Sequence, residues 1–357
     1  MKKMTSLERC MAVLNGGVPD KIPIVPQSFM LAAETAGIKV GELSHNPDKM
    51  VEAHLVCLEK YGYDGIVIDF DDATMAEACG AKVIFREDEP AVVDESHPLL
   101  TNLQDFDELV LPDPEKDGRL GVWLEATRKL VEKVGDHVFI MGRADQGPFT
   151  LATLLRGAQQ FMMDLVLEDP EVIKKLIDYS RQASTVFAKA MKDVGAHATS
   201  IGDAYAGPSL ISPEMFRQFA LDPEIKMTNE VQEYGIPFSI HICGDTSGIV
   251  PDMASTGAKI LELDSQVDFA WARKIVPEET VLMGNINPSD PLVLGNPETI
   301  ETSVKNLIEQ TRGKGLFISS GCAMGRNTPS ANFRAMVLAA REYGSHDKIE
   351  ALLTTNS

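Results

Sequence analysis

The stretch SIHICGDTSG, residues 239–248, places His241 and Cys243 one residue apart where an apolar run gives way to glycine and polar residues. In a β-strand, residues i and i+2 project to the same side, so this imidazole and this thiol would leave the strand together. Imidazole nitrogen and thiolate sulfur are ligands that zinc prefers. The pair indicates either half of a metal site or an ordinary strand end with a buried thiol.

A third soft ligand follows another apolar run, where SSGCAMGRNTP contains Cys322. If both runs are strands of one parallel barrel, their carboxyl ends share a rim, and Cys322 meets His241 and Cys243 there. One histidine and two cysteines suit a catalytic zinc with an open fourth position, whereas structural zinc sites take four protein ligands. The alternative for Cys322 is a buried free thiol beside a glycine turn.

The other cysteines have no such pattern. The chain has five, an odd number without paired spacing, which favours free thiols or metal ligands in a reducing compartment over disulfides. Cys10, Cys57 and Cys79 lie in helical or post-helical apolar contexts and are predicted to pack in the core.

Eight short β-rich runs could position these side chains, and each is followed by glycine or polar residues and then by a helical pattern. The runs are IPIVP at 22–26, GIVID at 65–69, VFIMG at 138–142, ATSIG at 198–202, FSIHI at 238–242, KILEL at 259–263, TVLMG at 280–284 and LFISS at 316–320. Amphipathic helices are predicted over 47–61, 119–134, 170–193, 212–234, 297–311 and 329–342. For the last helix, Thr328 is the predicted N-cap and Pro329 the first helical residue.

This alternation predicts an α/β protein with one (β/α)8 TIM-barrel domain over residues 1–357 and an N-terminal helical extension. A doubly wound open sheet is the alternative, weakened because the chain lacks a GxGxxG or GxxxxGK[ST] loop. Residues 81–118, which begin AKVIFREDEPAVVDES, are predicted to be an insertion after the second strand. The insertion either covers the mouth of the site or forms a passive rim.

In a barrel of this kind, chemistry lies at the carboxyl ends of the strands. Polar residues cluster at those predicted ends: Gln27, Asp69, Asp71, Asp72, Arg143, Asp145, Asp203, Tyr205, His241, Cys243, Asp245, Glu262, Asp264, Asn285, Asn287 and Cys322.

The sequence resembles a known family at this point. HICG followed by SGCAMGRNTPSANFRAMV is similar to the His-x-Cys…Cys zinc motif of methylcobamide:thiol methyltransferases, within the uroporphyrinogen decarboxylase superfamily. The resemblance extends to ERCMAVLNGGVPDKIPIVP, GPFTLA, GDAYAGPSLISPEMFRQFA and MGNINPSDPLVLGNPETI, which are typical of the superfamily in general. True uroporphyrinogen decarboxylases carry an arginine-rich RQAGRY stretch, whereas the matching PQSFMLAAETAG has no arginine. Decarboxylation is therefore disfavoured.

The resemblance implies a zinc-dependent methyltransferase of one-carbon metabolism with His241, Cys243 and Cys322 as catalytic metal ligands. A methyl group would move between a corrinoid (methylcobalamin), carried by a separate partner protein at the barrel mouth, and a small thiol such as coenzyme M. One alternative moves the methyl group from a methylamine, methyl halide or methoxy compound onto the corrinoid protein. Further alternatives are a decarboxylase of tetrapyrrole carboxylates and a non-catalytic corrinoid-protein chaperone with a structural zinc.

Other strand-end residues receive roles as hypotheses. Asp264 is the first candidate for a fourth zinc ligand and Glu262 the second, with hydrogen bonding to loop amides as the alternative for both. Arg143 is predicted to hold an anionic tail of the substrate, or else to pair with Asp145 or Asp203. Asn285 is a further substrate-binding candidate, and the superfamily resemblance adds Asp203 and Tyr205 as pocket-lining residues.

Composition excludes some partners. With 33 basic and 53 acidic residues, the formal net charge is -20, and no basic run is present that could neutralise a nucleic-acid backbone. No window approaches the roughly 18 apolar residues of a membrane span, and the N-terminus lacks the apolar core of a secretory signal. A cytoplasmic protein is expected.

Overall fold

A curled sheet of parallel strands forms the centre of the protein in a computed structural model that describes residues 3–354. The strands among these residues are β1 Gly65–Ile68, β2 Val83–Ile84, β3 Val92–Val93, β4 Phe139–Gln146, β5 Ala198–Gly202, β6 Phe238–Ile242, β7 Ile260–Leu263, β8 Val281–Ile286 and β9 Leu316–Ser320. Seven of them pair in the order β1-β4-β5-β6-β7-β8-β9, and every pairing in this sheet is parallel.

The predicted first strand, residues 22–26, joins the two edges of this sheet. Ile24 forms a parallel bridge with Ile318 of β9. On the other side, the carbonyl of Ile24 accepts a hydrogen bond from the N–H of Gly65, the first residue of β1. The segment takes the eighth position of a barrel, although its pairing is too short to make a regular strand. The predicted barrel-type fold is confirmed.

Helices surround the sheet. Among the described residues they are α1 Ser6–Leu14, α2 Phe29–Ala36, α3 Val40–Leu43, α4 Pro47–Tyr61, α5 Thr74–Ala78, α6 Leu120–Val134, α7 Pro148–Arg156, α8 Ala158–Leu167, α9 Pro170–Asp193, α10 Pro213–Met215, α11 Leu221–Glu233, α12 Val250–Ser255, α13 Phe269–Ile275, α14 Pro297–Thr311, α15 Ser330–Tyr343 and α16 His346–Thr354. Short 3₁₀ turns cover Leu103–Glu108 and Ala204–Ala206, and a π-helical turn over Phe216–Ala220 joins α10 to α11. None of the helices in this part of the chain combines the length and the apolar character needed to cross a bilayer.

The predicted helix bounds agree with those of α4, α9 and α14. Each of these helices has a proline in its first turn and a side-chain cap before it, from Asn46, Asp169 and Asn296 respectively. The start of α15 differs by one residue, because Pro329 is its N-cap and the hydroxyl of Thr328 donates instead to the carbonyl of Gly325.

The strands have two buried faces. Interior-facing residues form one apolar cluster with α1, which includes Val67, Phe139, Met141, Ala198, Ile260, Val281, Met283 and Phe317. Neighbouring strand residues such as Ile240 and Leu282 pack in the larger cluster between the sheet and the helices. Because strand side chains alternate, Arg143 after Met141 and Glu262 after Ile260 also face inward, toward the carboxyl end. The apolar layer thus supports a polar layer above it.

The insertion after β1 contains an antiparallel hairpin made by β2 and β3, with Val83 opposite Val93. The tip of the hairpin is tied to neighbouring loops, because Arg326 pairs with Asp88 and Lys39 pairs with Glu87. Residues 89–93 of the hairpin line a cavity at the carboxyl end of the barrel. The inserted segment therefore contributes one wall of that cavity.

Candidate metal centre

The structure brings His241, Cys243 and Cys322 together. His241 is in β6, Cys243 follows β6 directly, and Cys322 is two residues past the end of β9. The Sγ atom of Cys243 is 3.2 Å from Nε2 of His241 and 3.6 Å from Sγ of Cys322. Among the described residues this triad is the set of His, Cys, Asp and Glu side chains close enough to share a metal ion, with all ligand atoms within 4.8 Å of one another.

The backbone fixes the orientation of the histidine. Nδ1 of His241 is 3.1 Å from the carbonyl oxygen of Glu262 in the adjacent strand β7. A carbonyl can only accept, so Nδ1 carries a proton, and in the neutral ring Nε2 presents its lone pair toward the two sulfur atoms. This contact is the outer partner that metal-binding histidines commonly have. The ring is 4 % exposed, so it has little freedom to turn away.

The two thiols share one favourable negative charge. Hydrogen bonding from Cys243 lowers the pKa of Cys322 far below its ordinary value, because it outweighs burial, and His241 adds to the effect. The pKa of Cys243 rises in response, through its hydrogen bond to Cys322 and through burial. Burial alone would lower the pKa of His241, but the hydrogen bond and charge of Cys322 raise it. Without an added cation, the site holds one thiolate readily and resists a second.

Asp264 lies beside the triad but is directed at the backbone. Its Oδ2 accepts from the N–H of Gly244 at 3.0 Å, and its Oδ1 accepts from the Ser265 hydroxyl at 2.9 Å and the Gln266 N–H at 3.3 Å. In the structure this carboxylate makes the loop-amide hydrogen bonds that were the alternative, and its role as a metal ligand stays a prediction. Because Gly244 follows Cys243, Asp264 holds the loop that presents the cysteine.

Glu262, the second candidate for a fourth ligand, lies in the barrel interior. Its Oε1 accepts from the Ser239 hydroxyl at 2.7 Å, and its Oε2 accepts from Arg143 at 3.1 Å. It is 1 % exposed, so both oxygens are committed within the protein. Its backbone carbonyl, and not its carboxylate, contacts the triad through His241.

Arg143 is held by carboxylates other than the two predicted. Its Nε is 2.8 Å from Asp69, a close ion pair without an aligned hydrogen bond, and its Nη2 donates to Glu262. Its guanidinium also lies over the ring of Phe29, 5.5 Å from the centroid. Burial opposes its charge, but Glu262 and Asp69 together raise its pKa. The predicted pairing with Asp145 or Asp203 is replaced by these contacts.

Two predicted substrate-binding residues lie outside the cavity. Asp203 is fully buried, and its carboxylate accepts from the N–H groups of Phe149 and Thr150 in the first turn of α7. Asn285 donates from Nδ2 to the carbonyls of Asp264 and Val267, which fixes the loop after β7. The polar atoms of both residues hydrogen-bond to backbone groups of neighbouring segments.

The cavity above the triad has a volume of about 510 Å³. Tyr205, His241, Cys243, Cys322 and Arg143 all contribute to its wall. Acidic side chains are numerous there: Asp69, Asp71, Asp72, Glu89, Glu95 and Asp145. A small substrate could therefore reach the triad through a largely acidic chamber.

Arg119 was missed by sequence reasoning. It pairs with Asp71 at 2.6 Å and with Glu77 at 2.6 Å, and it is almost fully buried. Arg119 does not line the cavity itself, but it neutralises Asp71, which does. Arg119 lies in the segment DGRLG, between the insertion and α6, and a single arginine there has no spacing or motif that could have indicated this contact.

Known relatives cover nearly the whole chain. A methylcobamide:CoM methyltransferase of Methanosarcina mazei, MtbA, is 29% identical over 348 residues, which span 96% of this chain and 99% of the relative. Another methylcobamide:CoM methyltransferase, MtaA of Methanosarcina barkeri, is 29% identical over 350 residues, with coverage of 96% and 99%. These relatives confirm the resemblance to methylcobamide:thiol methyltransferases found in the sequence.

A solved structure agrees in fold over the same extent. A methyltransferase from Methanosarcina mazei superposes with a TM-score of 0.87 at 26% identity, covering 95% of this chain and 99% of the other. At the level of family models, the uroporphyrinogen decarboxylase (URO-D) model matches residues 5–343. With nearly all of its length matched, the chain belongs to the uroporphyrinogen decarboxylase family.

Proposed function

We propose that this protein is a zinc-dependent methyltransferase that moves a methyl group between a corrinoid protein and a small thiol. The observation that carries the proposal is the convergence of His241, Cys243 and Cys322 at a cavity open to small molecules. The relatives support the reaction class, because their names describe transfer from a methylcobamide to CoM.

The triad fits a zinc ion. Tetrahedral zinc with Zn–S of about 2.3 Å and Zn–N of about 2.0–2.1 Å separates two sulfur ligands by roughly 3.8 Å and a sulfur from a nitrogen by roughly 3.6 Å. The corresponding separations here are 3.6 Å between the sulfur atoms and 3.2 Å between Cys243 and His241. Small adjustments of two side chains would open the triad to the ion.

The donor types suit thiol activation. A bound zinc would supply a thiol substrate with a lower pKa, so that its sulfur is a thiolate at neutral pH. Two cysteinates balance the +2 charge of the ion and neutral His241 adds none, so a substrate thiolate would give an overall charge of about -1. Its sulfur then keeps its electron density and remains nucleophilic.

The protein's own residues keep the triad in place. The Glu262 carbonyl fixes the His241 tautomer, and the carboxylate of Asp264 holds the amide that follows Cys243. No further His, Cys, Asp or Glu ligand atom among residues 3–354 joins the triad, which leaves a position for the substrate sulfur. The substrate sulfur would lose its proton to solvent and form the new bond to carbon at this position, and a bound corrinoid would supply the methyl group and retain the electron pair of the cobalt–carbon bond.

The corrinoid would come on a partner protein that docks over the carboxyl end of the barrel. The described residues form one barrel with a rim insertion, and the triad lies at that end. A docked partner would also exclude water from the cavity, which strengthens the electrostatic effects inside it.

Zinc content and methyl transfer test the proposal together. We expect about one zinc per chain in the wild type by elemental analysis and a thiol-dependent loss of methyl-cobalt absorbance with methylcobalamin. Structural zinc sites contribute about 10–16 kcal/mol in total, so losing one of three protein ligands should weaken binding by at least about 3 kcal/mol. Cys322→Ala should therefore lose zinc and activity while retaining its circular dichroism spectrum.

Cys79→Ala is the matched control, since Cys79 is a thiol buried away from the triad. It should keep both zinc and activity. Carefully prepared wild type without zinc, or Cys322→Ala with full zinc, would overturn the metal site. Unfolding of Cys322→Ala on metal loss would indicate a structural zinc instead of a catalytic one.

A further inference from the structure

Gln27 is a buried glutamine on the cavity wall whose carboxamide has no partner within the described part of the chain. The residue is 2 % exposed, and none of the hydrogen bonds among residues 3–354 involves its side chain. Its carboxamide atoms are nevertheless not sealed from solvent, so they are reached from the cavity that Gln27 lines. Because an unpaired buried amide is costly, this one is suited to meet a polar group inside the cavity.

Gln146 shows the bonding that Gln27 lacks. It lines the same cavity at 3 % exposure, and its side-chain amide donates to Asp72 at 3.0 Å and to Asp145 at 2.9 Å. Those contacts commit the Gln146 amide to the protein itself. Of the two glutamines on the wall, Gln27 is therefore the one that remains available to a substrate.

Backbone pairing places Gln27 beside the metal triad. Ile24 forms a parallel bridge with Ile318 of β9. Parallel strands advance in step, so three residues further along the chain Gln27 is level with Gly321. The next residue is Cys322 of the triad. Since neighbouring strands are about 4.8 Å apart, Gln27 and the loop that carries Cys322 lie side by side at the carboxyl end of the barrel.

Two further contacts fix the position and direction of Gln27. The N–H of Met324 donates to the backbone carbonyl of Gln27 at 2.9 Å, which holds the loop after Cys322 against this residue. Val25 belongs to the apolar cluster in the barrel interior, and residues i and i+2 of an extended segment project to the same side. The side chain of Gln27 is thus directed inward, above the apolar layer, where the tail of a thiol bound at the triad would pass.

The chemistry of a carboxamide selects its partner. Its NH2 group donates and its oxygen accepts, so both ends are paired only by a group that also donates and accepts. A hydroxyl or an amide meets this requirement. A sulfonate only accepts and would leave the oxygen of Gln27 unpaired, and an ammonium only donates and would leave the NH2 group unpaired. A methyl group would leave both ends unpaired.

We propose that Gln27 is a specificity-determining residue that hydrogen-bonds a hydroxyl or carboxamide group carried by the thiol substrate, two or three carbons from its sulfur. This inference rests on the proposed function, because it concerns the thiol that the metal triad activates. The substrate class is a neutral polar thiol, whereas the Methanosarcina relatives are named for CoM.

Matched alcohols and alkanethiols test this hydrogen bond. The pairs are 2-mercaptoethanol with 1-propanethiol and 3-mercapto-1-propanol with 1-butanethiol, and within each pair a methyl group replaces the hydroxyl. With zinc-loaded protein and methylcobalamin, we expect kcat/KM for the alcohol to exceed that for its alkanethiol by at least about tenfold in one or both pairs, because the alkyl analogue leaves the buried amide unpaired. Calorimetric titration without methylcobalamin should give the same order of affinity, and 2-mercaptoethanesulfonate should bind more weakly than 2-mercaptoethanol.

Two variants assign the preference to Gln27. Gln27→Met keeps the length of the side chain but removes both polar groups, so the ratio of alcohol to alkanethiol activity should fall about tenfold, with zinc content and circular dichroism spectrum unchanged. Gln27→Asn keeps the carboxamide but withdraws it by one carbon, which should shift the preference toward the longer alcohol. Gln310→Met is the matched control, since it makes the same change at an exposed position of α14 and should leave the ratio unchanged. Comparing the same thiols in each variant cancels the differences in their intrinsic reactivity.

The outcomes separate the inference from the proposed function. If no thiol demethylates methylcobalamin, the proposed function fails, and the calorimetric affinities still decide whether Gln27 selects a hydroxyl. If thiols react but neither alcohol is preferred to its alkanethiol, or if the sulfonate binds most tightly, methyl transfer stands and the role of Gln27 is overturned. An alcohol preference that survives in Gln27→Met would also overturn it. If Gln27→Met does not fold, the shift toward the longer alcohol in Gln27→Asn decides the same question.

Discussion

The two sides of the cavity differ in whether their charged groups have partners of opposite charge within the protein. On the β6–β9 side, the ligand atoms of His241, Cys243 and Cys322 face one another with one negative charge shared between two thiols. On the β1–β4 side, arginines pair with two of the carboxylates, Arg143 with Asp69 and Arg119 with Asp71. A completed ion-pair network is a structural feature, whereas one imidazole and two thiols with their ligand atoms within 4.8 Å of one another form a donor set suited to a cation.

The two sides meet at Glu262. Its carboxylate belongs to the arginine network through Arg143, and its backbone carbonyl orients His241. The ion-pair network therefore acts on the metal triad through a single strand position, and the acidic side is a support for the triad as well as a wall of the cavity.

The largest expected change in the free energy of unfolding comes from removing Arg143, which pairs with two carboxylates. Arg143→Ala leaves Asp69 and Glu262 buried without their counter-charge, and breaking a buried pair in this way costs about 3–5 kcal/mol. We expect a loss of this size in the free energy of unfolding, measured by urea denaturation of the metal-free protein. In the same assay, Cys322→Ala should change stability by less than about 1 kcal/mol, because its thiol takes no part in a completed network.

A triple variant tests the cause. Replacing Arg143 by Met together with Asp69→Asn and Glu262→Gln removes all three charges, and it should recover much of the stability lost in Arg143→Ala. If Arg143→Ala instead keeps wild-type stability and only raises KM, Arg143 binds substrate, as the sequence analysis predicted. That result would contradict a structural role for the ion pairs on the β1–β4 side.

Asp203 and Glu224 are buried carboxyl groups that have no arginine partner, and they can be compared with the arginine-paired carboxylates of the cavity. Burial raises the pKa of Asp203 to about 6, despite hydrogen bonds from Thr150 and Phe149. Burial, followed by the charge of Asp203, raises the pKa of Glu224 well above its usual range. The two carboxyl groups hydrogen-bond to each other, which requires a proton on one of them. Protonation, rather than pairing with a guanidinium group, lowers the negative charge that Asp203 and Glu224 carry in the core.

This difference predicts a pH dependence of stability. The folded protein holds a proton on Asp203 up to about pH 6, whereas the unfolded chain releases it near pH 4, so stability falls as pH rises through this window. The shift of about 2 pKa units corresponds to about 3 kcal/mol. Relative to the wild type, Asp203→Asn should therefore gain about 3 kcal/mol of unfolding free energy between pH 4 and pH 7. A difference that stays constant with pH would contradict a raised pKa.

The fold was largely predictable from sequence because strand and helix periodicities are local. The positions of β5, β6, β9 and α14 follow from such patterns, and no distant contact is needed to recognise them. The HxC pair was recognisable as two candidate ligands for the same reason, because strand alternation places both side chains on one side. Cys322 required the assumption that two strands share a rim, together with the resemblance to a family.

The partners of the charged residues were not predictable. Arg143 pairs with Asp69 and Glu262, which are 74 and 119 positions away, and Asp203 turns toward α7 instead of the cavity. Such choices depend on side-chain directions across several strands, which one sequence does not encode in any local pattern. Asp264 was recognised as a strand-end carboxylate, but its hydrogen bond with the Gly244 N–H could not be read from the sequence.

The smallest expected effect is a change in zinc affinity on substitution of Asp264. Its size distinguishes a carboxylate that binds the metal from one that only orients the loop carrying Cys243. In Asp264→Asn, one carboxylate oxygen becomes an NH2 group, which only donates, so the side chain can no longer accept from both the Gly244 and Gln266 amides and the loop after Cys243 loosens. Loss of an outer-shell partner typically weakens metal binding about 10–100-fold, and we expect zinc affinity, measured by competition with a chelator, to fall within this range. Asp245→Asn is the control one residue further along the loop, because it changes an exposed carboxylate that accepts hydrogen bonds from Ser247, and it should leave zinc affinity unchanged. A loss as large as that of Cys322→Ala would make Asp264 a ligand in its own right. The intermediate loss is expected because the three ligand atoms remain, and only the precision with which Cys243 is presented declines.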